Sequence, residues 1–203
     1  VRGNLIEAAK SSQRAADLCR QMLAYSGRGR FTNEPISLNE LIDDMRHMLE
    51  VSVSKKAIIR YNLSRGIPAV EADATQIRQI VMNLVINASD AIGEKSGVIS
   101  VSTGAMNCDR SYLSETWLDE KLPEGLYVYV EVADTGIGMS AETLPRVFDP
   151  FFTTKFAGRG LGLAFCKLAV SAHGGRIWVE DAEDEGSRFV VELPEAAAAR
   201  ATG

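Results

Sequence analysis

At 203 residues, 46% of them apolar, the chain can build one large domain, or a domain with an appendage, around a sizeable core. A net charge of -5 argues against general nucleic-acid binding, which needs a basic surface. No apolar run approaches the roughly 20 residues that span a bilayer. Three dispersed cysteines (Cys19, Cys108, Cys166) have no C-x-x-C spacing and fit the reduced thiols of a cytoplasmic protein.

From Leu5 to about Tyr25 the pattern is a long helix. Leu5, Ala8, Ser12, Ala15, Cys19 and Met22 recur in steps of three and four, a seam of mostly small residues suited to close helix packing. Ser26-Gly27-Arg28-Gly29-Arg30 breaks that pattern as a linker. The expected division is therefore 1–30 and 31–203. Pro35 to Leu38 reads as a short extended segment. Ser37 or Asn39 can cap a helix running to about Val53, with Ile42, Met45, Met48 and Leu49 on its apolar face. Ala57 to Leu63 alternates Ile59, Tyr61 and Leu63 as a strand.

The stretch Gln76 to Ile92, capped by Asp73 or Thr75, organises the chain. At 100° per residue Ile77, Ile80, Leu84, Ala88 and Ala91 fall on one side, widened by Val81, Val85 and Ile92. Gln76, Gln79, Asn83, Asn87 and Asp90 form a second stripe. Asn is a poor helix former because its side chain competes for backbone hydrogen bonds. Two mid-helix Asn therefore cost stability unless they bind something, and an amide oxygen is a hard ligand suited to Mg²⁺. The competing reading is a solvated polar face.

Val98 to Val101 reads as a strand. Residues 104 to 126 are polar and irregular, a hairpin extension or a loop. Tyr127 to Val132 is a strand that runs into Asp134-Thr135-Gly136-Ile137-Gly138-Met139, a carboxylate and two glycines in a tight turn. Arg146 to Leu163 then brings an aromatic cluster, a mobile polar segment and Gly158, Gly160 and Gly162 ahead of an apolar helix from Leu161 to about Ala172. Backbone N–H groups at a glycine-rich helix start form an anion site, and Lys155 and Arg159 add cations. After His173-Gly174-Gly175, residues 176–180 and 187–193 read as a closing hairpin, and 196–203 as a frayed tail.

Four blocks occur in order: Asn83-Leu84-Val85-Ile86-Asn87-Ala88, Asp134-Thr135-Gly136-Ile137-Gly138-Met139, Phe148-Asp149-Pro150-Phe151-Phe152 and Gly158-Arg159-Gly160-Leu161-Gly162-Leu163. They resemble the N, G1, F and G2 boxes of sensor histidine kinases, whose ATP-binding domain is shared with gyrase-type topoisomerases and mismatch-repair ATPases. The Phe-Phe-Thr-Thr-Lys run and the 104–126 excursion look most like the nitrogen-regulatory and PAS-linked hybrid branch. The opening helix resembles the second helix of the family's dimerisation and phosphotransfer hairpin.

The resemblance implies a two-layer α/β sandwich, a mixed sheet with helices on one face, preceded by one long helix. ATP would lie between the helices and a flexible lid. Asn87 would ligate Mg²⁺ bridging the phosphates. Asn83 stands where topoisomerase-type relatives place a glutamate base, and an amide fits kinase use rather than hydrolysis. Asp134 would accept from the adenine amine, with Gly136 and Gly138 letting backbone approach the ring, and Ala91, Met139 and Ser187 nearby. Gly160, Leu161, Gly162 and Leu163 would supply amides to the phosphates. Asp90 stands where many members carry Lys or Arg, so Lys155 and Arg159 become the candidate phosphate cations. In the family the γ-phosphoryl goes to a histidine on the first hairpin helix, then to a response regulator receiver domain, and the hairpin makes a homodimer. Neither His47 nor His173 lies in an acceptor motif, so the acceptor is expected upstream of Val1. The alternatives are a topoisomerase-type ATPase, which Glu at position 83 would have favoured, and a nucleotide-sensing module that transfers nothing.

Overall fold

The computed structural model describes residues 32–114, 122–155, 158–181 and 186–196. The opening helix and linker expected over residues 5–30 lie outside them. So does most of the tail.

Strands β1 (Glu34–Ile36) and β3 (Val70–Ala72) pair antiparallel in a small ladder of their own. Strands β2 (Ala57–Leu63), β4 (Gly97–Cys108), β5 (Gly125–Asp134), β6 (Arg176–Asp181) and β7 (Ser187–Pro194) form the main sheet, in the order β2-β4-β5-β7-β6. The β2–β4 pair is parallel and the other three pairs are antiparallel, so the sheet is mixed. A parallel pair needs a long crossover, and helix α2 (Ala74–Ile92) lies within it.

Register places Val101 beside Val132 and Val132 beside Phe189. One row further, Thr103, Val130 and Val191 align. These residues are buried and share one face. Helices α1 (Leu38–Ser52), α2 and α4 (Gly162–Ala172) cover that face, and the short α3 (Arg110–Ser114) lies elsewhere. Helix α1 buries Leu38, Leu41, Ile42, Met45 and Leu49, and its Asn39 accepts a hydrogen bond from Thr103 Oγ1 at 2.6 Å. Helix α2 buries the predicted stripe at Ile77, Ile80, Val81, Leu84, Val85, Ala88 and Ile92 and leaves its Ala91 half-buried. Ser37 caps α1. Asp73 caps α2 by accepting from the Thr75 and Gln76 amides.

His173 has a structural task here. Its Nε2 accepts from the Asp73 amide at 3.0 Å and its Nδ1 lies 2.6 Å from the Ala169 carbonyl. This buried ring ties the start of α2 to the end of α4.

Where it is described, the 104–126 stretch is the hairpin extension rather than the loop. Strand β4 continues to Cys108, pairing Ala105 with Val128 and Met106 with Tyr127, and α3 follows. The ladder extends because Cys108, Leu113, Leu122 and Tyr127 form a separate buried cluster, with Met106 and Tyr112 against it. Beside it Glu192 accepts from Arg176 Nε at 2.5 Å and from Tyr112 Oη at 2.9 Å, and the Arg176 guanidinium stacks between Tyr112 and Trp178. Burial, with the Glu192 bond next, pushes the Tyr112 hydroxyl up to about 12. By register, Arg176 and Glu192 lie on the face opposite Ile177 and Val191.

Candidate functional site

Three segments meet along the polar stripe of α2. At its middle, Asn83 Oδ1 accepts from Gln79 Nε2 at 3.1 Å. Its Nδ2 donates to the Gly162 carbonyl at 3.3 Å and approaches Cys166 Sγ at 3.7 Å. Asn83 therefore fastens α2 to the first turn of α4. One turn later Asn87 Oδ1 accepts from Lys155 Nζ at 2.7 Å, and Asp90 Oδ2 accepts from the same ammonium at 2.7 Å. The stripe is a set of placed polar groups, not a plain solvated surface.

At the end of α2 the turn after β5 is pressed onto the helix. The Ile137 amide donates to the Ala91 carbonyl at 3.1 Å. A Cβ on Gly136 would lie 2.6 Å from the Ala91 carbonyl carbon and 2.7 Å from Asp134 Oδ1, so only glycine fits. Gly138 turns the chain at φ 65°. Asp134 is 4% exposed. Burial pushes its carboxyl above the usual range, and backbone donors at Gly136 and Ser187 partly offset this. The Gly136 donation is 2.8 Å. Ser187 is buried, Met139 is half-buried, and Ile137 is 81% exposed on the rim.

The third segment leads into α4. Phe151 takes φ 67° while 71% exposed, and its amide donates to the Gly160 carbonyl at 2.8 Å. Gly160, at φ 64°, allows that return. Phe152 is held under the Arg146 guanidinium at 4.4 Å. Helix α4 starts at Gly162 after Leu161, with no side-chain cap, so its first-turn amides have no side-chain acceptor at that start. Leu161 and Leu163 are half-buried, and Arg159 is exposed. Residues 156 and 157 of the expected lid lie outside the described residues.

The fold thus brings Asn83, Asn87, Asp90 and Ala91 of α2 together with the 134–139 turn, Lys155 and the Gly162 end of α4. Sequence reasoning missed Gly186. A Cβ there would meet the Asp134 carbonyl carbon at 2.8 Å and the Gly136 nitrogen at 3.1 Å, so Gly186 lets the β6–β7 side close on the turn. Its position just before Ser187 was the available signal. It also missed Thr135, whose Oγ1 accepts from the Val98 amide at 3.0 Å and anchors the turn to β4.

Residues 72–197 match the family described as histidine kinase-, DNA gyrase B- and HSP90-like ATPase. The chain belongs to this family. Among its relatives, the sensor kinase CckA of Brucella abortus (strain 2308) is 34% identical over 187 residues, which is 91% of this chain and 19% of that protein. The sensor protein FixL of Bradyrhizobium diazoefficiens is 31% identical over 197 residues, 97% of this chain and 36% of that protein. The chain thus spans about a fifth to a third of these relatives. The catalytic domain of the histidine kinase ThkA, in a nucleotide-free form, superposes with a TM-score of 0.65 at 33% identity, covering 85% of this chain and 100% of that one. ThkA in complex with the response regulator protein TrrA matches with a TM-score of 0.66 at 27% identity, covering 94% of this chain and 50% of that one. The described sheet and helices are therefore an ATP-binding domain of the sensor histidine kinase type. Among the described residues no helix is long and apolar enough to cross a membrane.

Proposed function

We propose that this chain binds Mg-ATP and supplies its γ-phosphoryl group to a histidine on the helical hairpin of a sensor histidine kinase, for onward transfer to a response regulator receiver domain. The observation that carries the reading is the turn at Asp134. It presents a buried carboxylate beside a glycine that no other residue could replace, at the end of the helix that also presents Asn87. Asp134 accepts from the adenine amine. Gly136, Gly138, Ala91, Met139 and Ser187 surround the base. The amides of Gly160 to Leu163, at the entry to α4, face the phosphates, with Arg159 and Lys155 as cations.

The residues fit a divalent cation. Asn87 Oδ1 and Asp90 Oδ2 already attract one positive charge, the Lys155 ammonium, and hard oxygens are what Mg²⁺ takes. Asn87 would hold it, and bound Mg²⁺ would neutralise phosphate charge. Asn83, spent on Gln79 and Gly162, positions α4 and supplies no base. His173 has both ring nitrogens engaged, which is unsuited to an acceptor. Relatives named as sensor kinases, and one neighbour solved with a response regulator, support the same partner. The hairpin homodimer and a cytoplasmic location follow from this reading.

Calorimetric titration with a non-hydrolysable ATP analogue, with and without Mg²⁺, tests it. Metal-dependent binding with rejection of the GTP analogue is expected, and equal binding of the two, or no metal effect, refutes it. With labelled ATP the chain should stay unlabelled until a protein supplying the acceptor helix is added. Acid-labile label on His47 or His173 would refute that part.

A further inference from the structure

Lys155 Nζ sits 2.7 Å from Asn87 Oδ1 and 2.7 Å from Asp90 Oδ2. Asn87 and Asp90 are three residues apart, hence neighbours on one face of α2. Lys155 reaches them from a distant segment. Its own backbone is set by two local bonds, its amide to Thr153 Oγ1 at 3.1 Å and its carbonyl from the Gly158 amide at 3.1 Å. One positive charge is thus held between two hard oxygens, one of them the oxygen assigned above to Mg²⁺.

Resting on that assignment, we propose that Lys155 is a built-in competitor for the metal. In the nucleotide-free chain its ammonium occupies the cation position of Asn87, held there by Asp90, and Mg-nucleotide binds by exchanging one cation for the other. Mg²⁺ takes its oxygens at about 2.0–2.1 Å. An ammonium hydrogen-bonded to the same Asn87 oxygen would stand inside that coordination sphere, and the two positive charges repel. Asn87 is neutral and cannot anchor an ammonium by charge, so Asp90 supplies the counter-charge. Reversibility follows from exposure. The Lys155 and Asp90 side chains are 41% and 50% exposed, so solvent screens the pair and it yields to a divalent ion.

Two measurements decide the matter. The first uses ADP, which keeps γ-phosphate contacts out, and takes the ratio of its Kd in EDTA to its Kd in Mg²⁺. Removing the competitor (K155Q) or its holder (D90N) should each raise that ratio about two- to fivefold, the scale of one partly exposed ion pair. The second needs no nucleotide. Acylation of Lys155 by an amine reagent, normalised to Lys95 and read by mass spectrometry, should rise by about the same two- to fivefold in D90N. A lower ratio in D90N would mean that Asp90 serves the metal directly, and overturns the proposal. A rise in K155Q alone overturns it too, because it leaves Lys155 a plain phosphate cation. Unchanged acylation in D90N likewise overturns it. Wild-type protein without metal-dependent binding would remove the Mg-ATP reading and this proposal together, whereas metal-dependent binding with unaltered ratios removes this proposal alone.

Discussion

Replacing Asp134 with Asn separates recognition from fold. The carboxylate is 4% exposed, and its Oδ1 accepts from the Gly136 amide at 2.8 Å. Asn keeps the shape and can keep that acceptor. On the proposed adenine contact, its NH₂ would face the base's amine, a donor opposite a donor. Losing a hydrogen bond to a charged group costs about 1.5–3 kcal/mol, or roughly 10- to 150-fold in ATP affinity. The unliganded fold moves the other way. Burial raises the Asp134 carboxyl above its unfolded value, so the fold prefers it protonated. That contribution is full below the ordinary carboxylate range and is lost as pH rises through the raised folded value. At neutral pH the wild type therefore carries a penalty that Asn, which does not titrate, escapes. Titration calorimetry and thermal unfolding on the same samples, at neutral pH and near the acid end, give both readouts. Expected are at least a tenfold loss of ATP affinity, a Tm at neutral pH no lower than wild type, and a relative gain for the variant as pH rises. A lowered Tm with ATP affinity of the folded fraction intact would show that Asp134 only braces the turn, and would refute the reasoning.

Gly136→Ala drives a methyl group to within 2.7 Å of the Ala91 backbone and the Asp134 carboxylate. Neither can yield freely, so a stability loss of about 1–3 kcal/mol with weaker nucleotide binding is expected in urea unfolding and titration, and wild-type values in both would contradict the close approach. Arg176→Met removes the cation from a carboxylate, Glu192, that is 1% exposed. Unfolding free energy should fall by about 3–5 kcal/mol, while nucleotide Kd holds, because the pair lies on the sheet face opposite α1, α2 and α4. A changed Kd at unchanged stability would reverse that assignment.

Helix α2 was legible before any coordinates because both of its stripes are local: 3.6-residue periodicity alone sorts Ile77, Ile80 and Leu84 from Asn83, Asn87 and Asp90. The turn at Asp134 was legible for the same reason, since a carboxylate followed by two glycines is a local backbone demand. Strand β4 beyond Val101 was legible only as one of two alternatives, a hairpin extension or a loop. Met106 and Cys108 carry no convincing alternation of their own, and they extend the ladder only because Tyr127, Leu113 and Leu122 arrive from elsewhere to bury them. Gly186 was signalled only by its place before Ser187, for a related reason: what forbids a side chain there is Asp134, more than fifty positions earlier in the chain.

Residue order alone sets the helical and strand faces and the chemical kinds of group available, because each depends on neighbours within a few residues; it left Ser37 or Asn39, and Asp73 or Thr75, open as caps, and the fold uses Ser37 and Asp73. What those groups do to one another is a matter of tertiary packing. It spends Asn83 on Gly162, engages His173 between Asp73 and Ala169, and seats Lys155 on Asn87 and Asp90. Those pairings join residues 65 to 100 positions apart, apart from the His173–Ala169 contact. No local periodicity encodes them, because it is the sheet register and helix packing that bring such distant donors and acceptors within 3 Å or so.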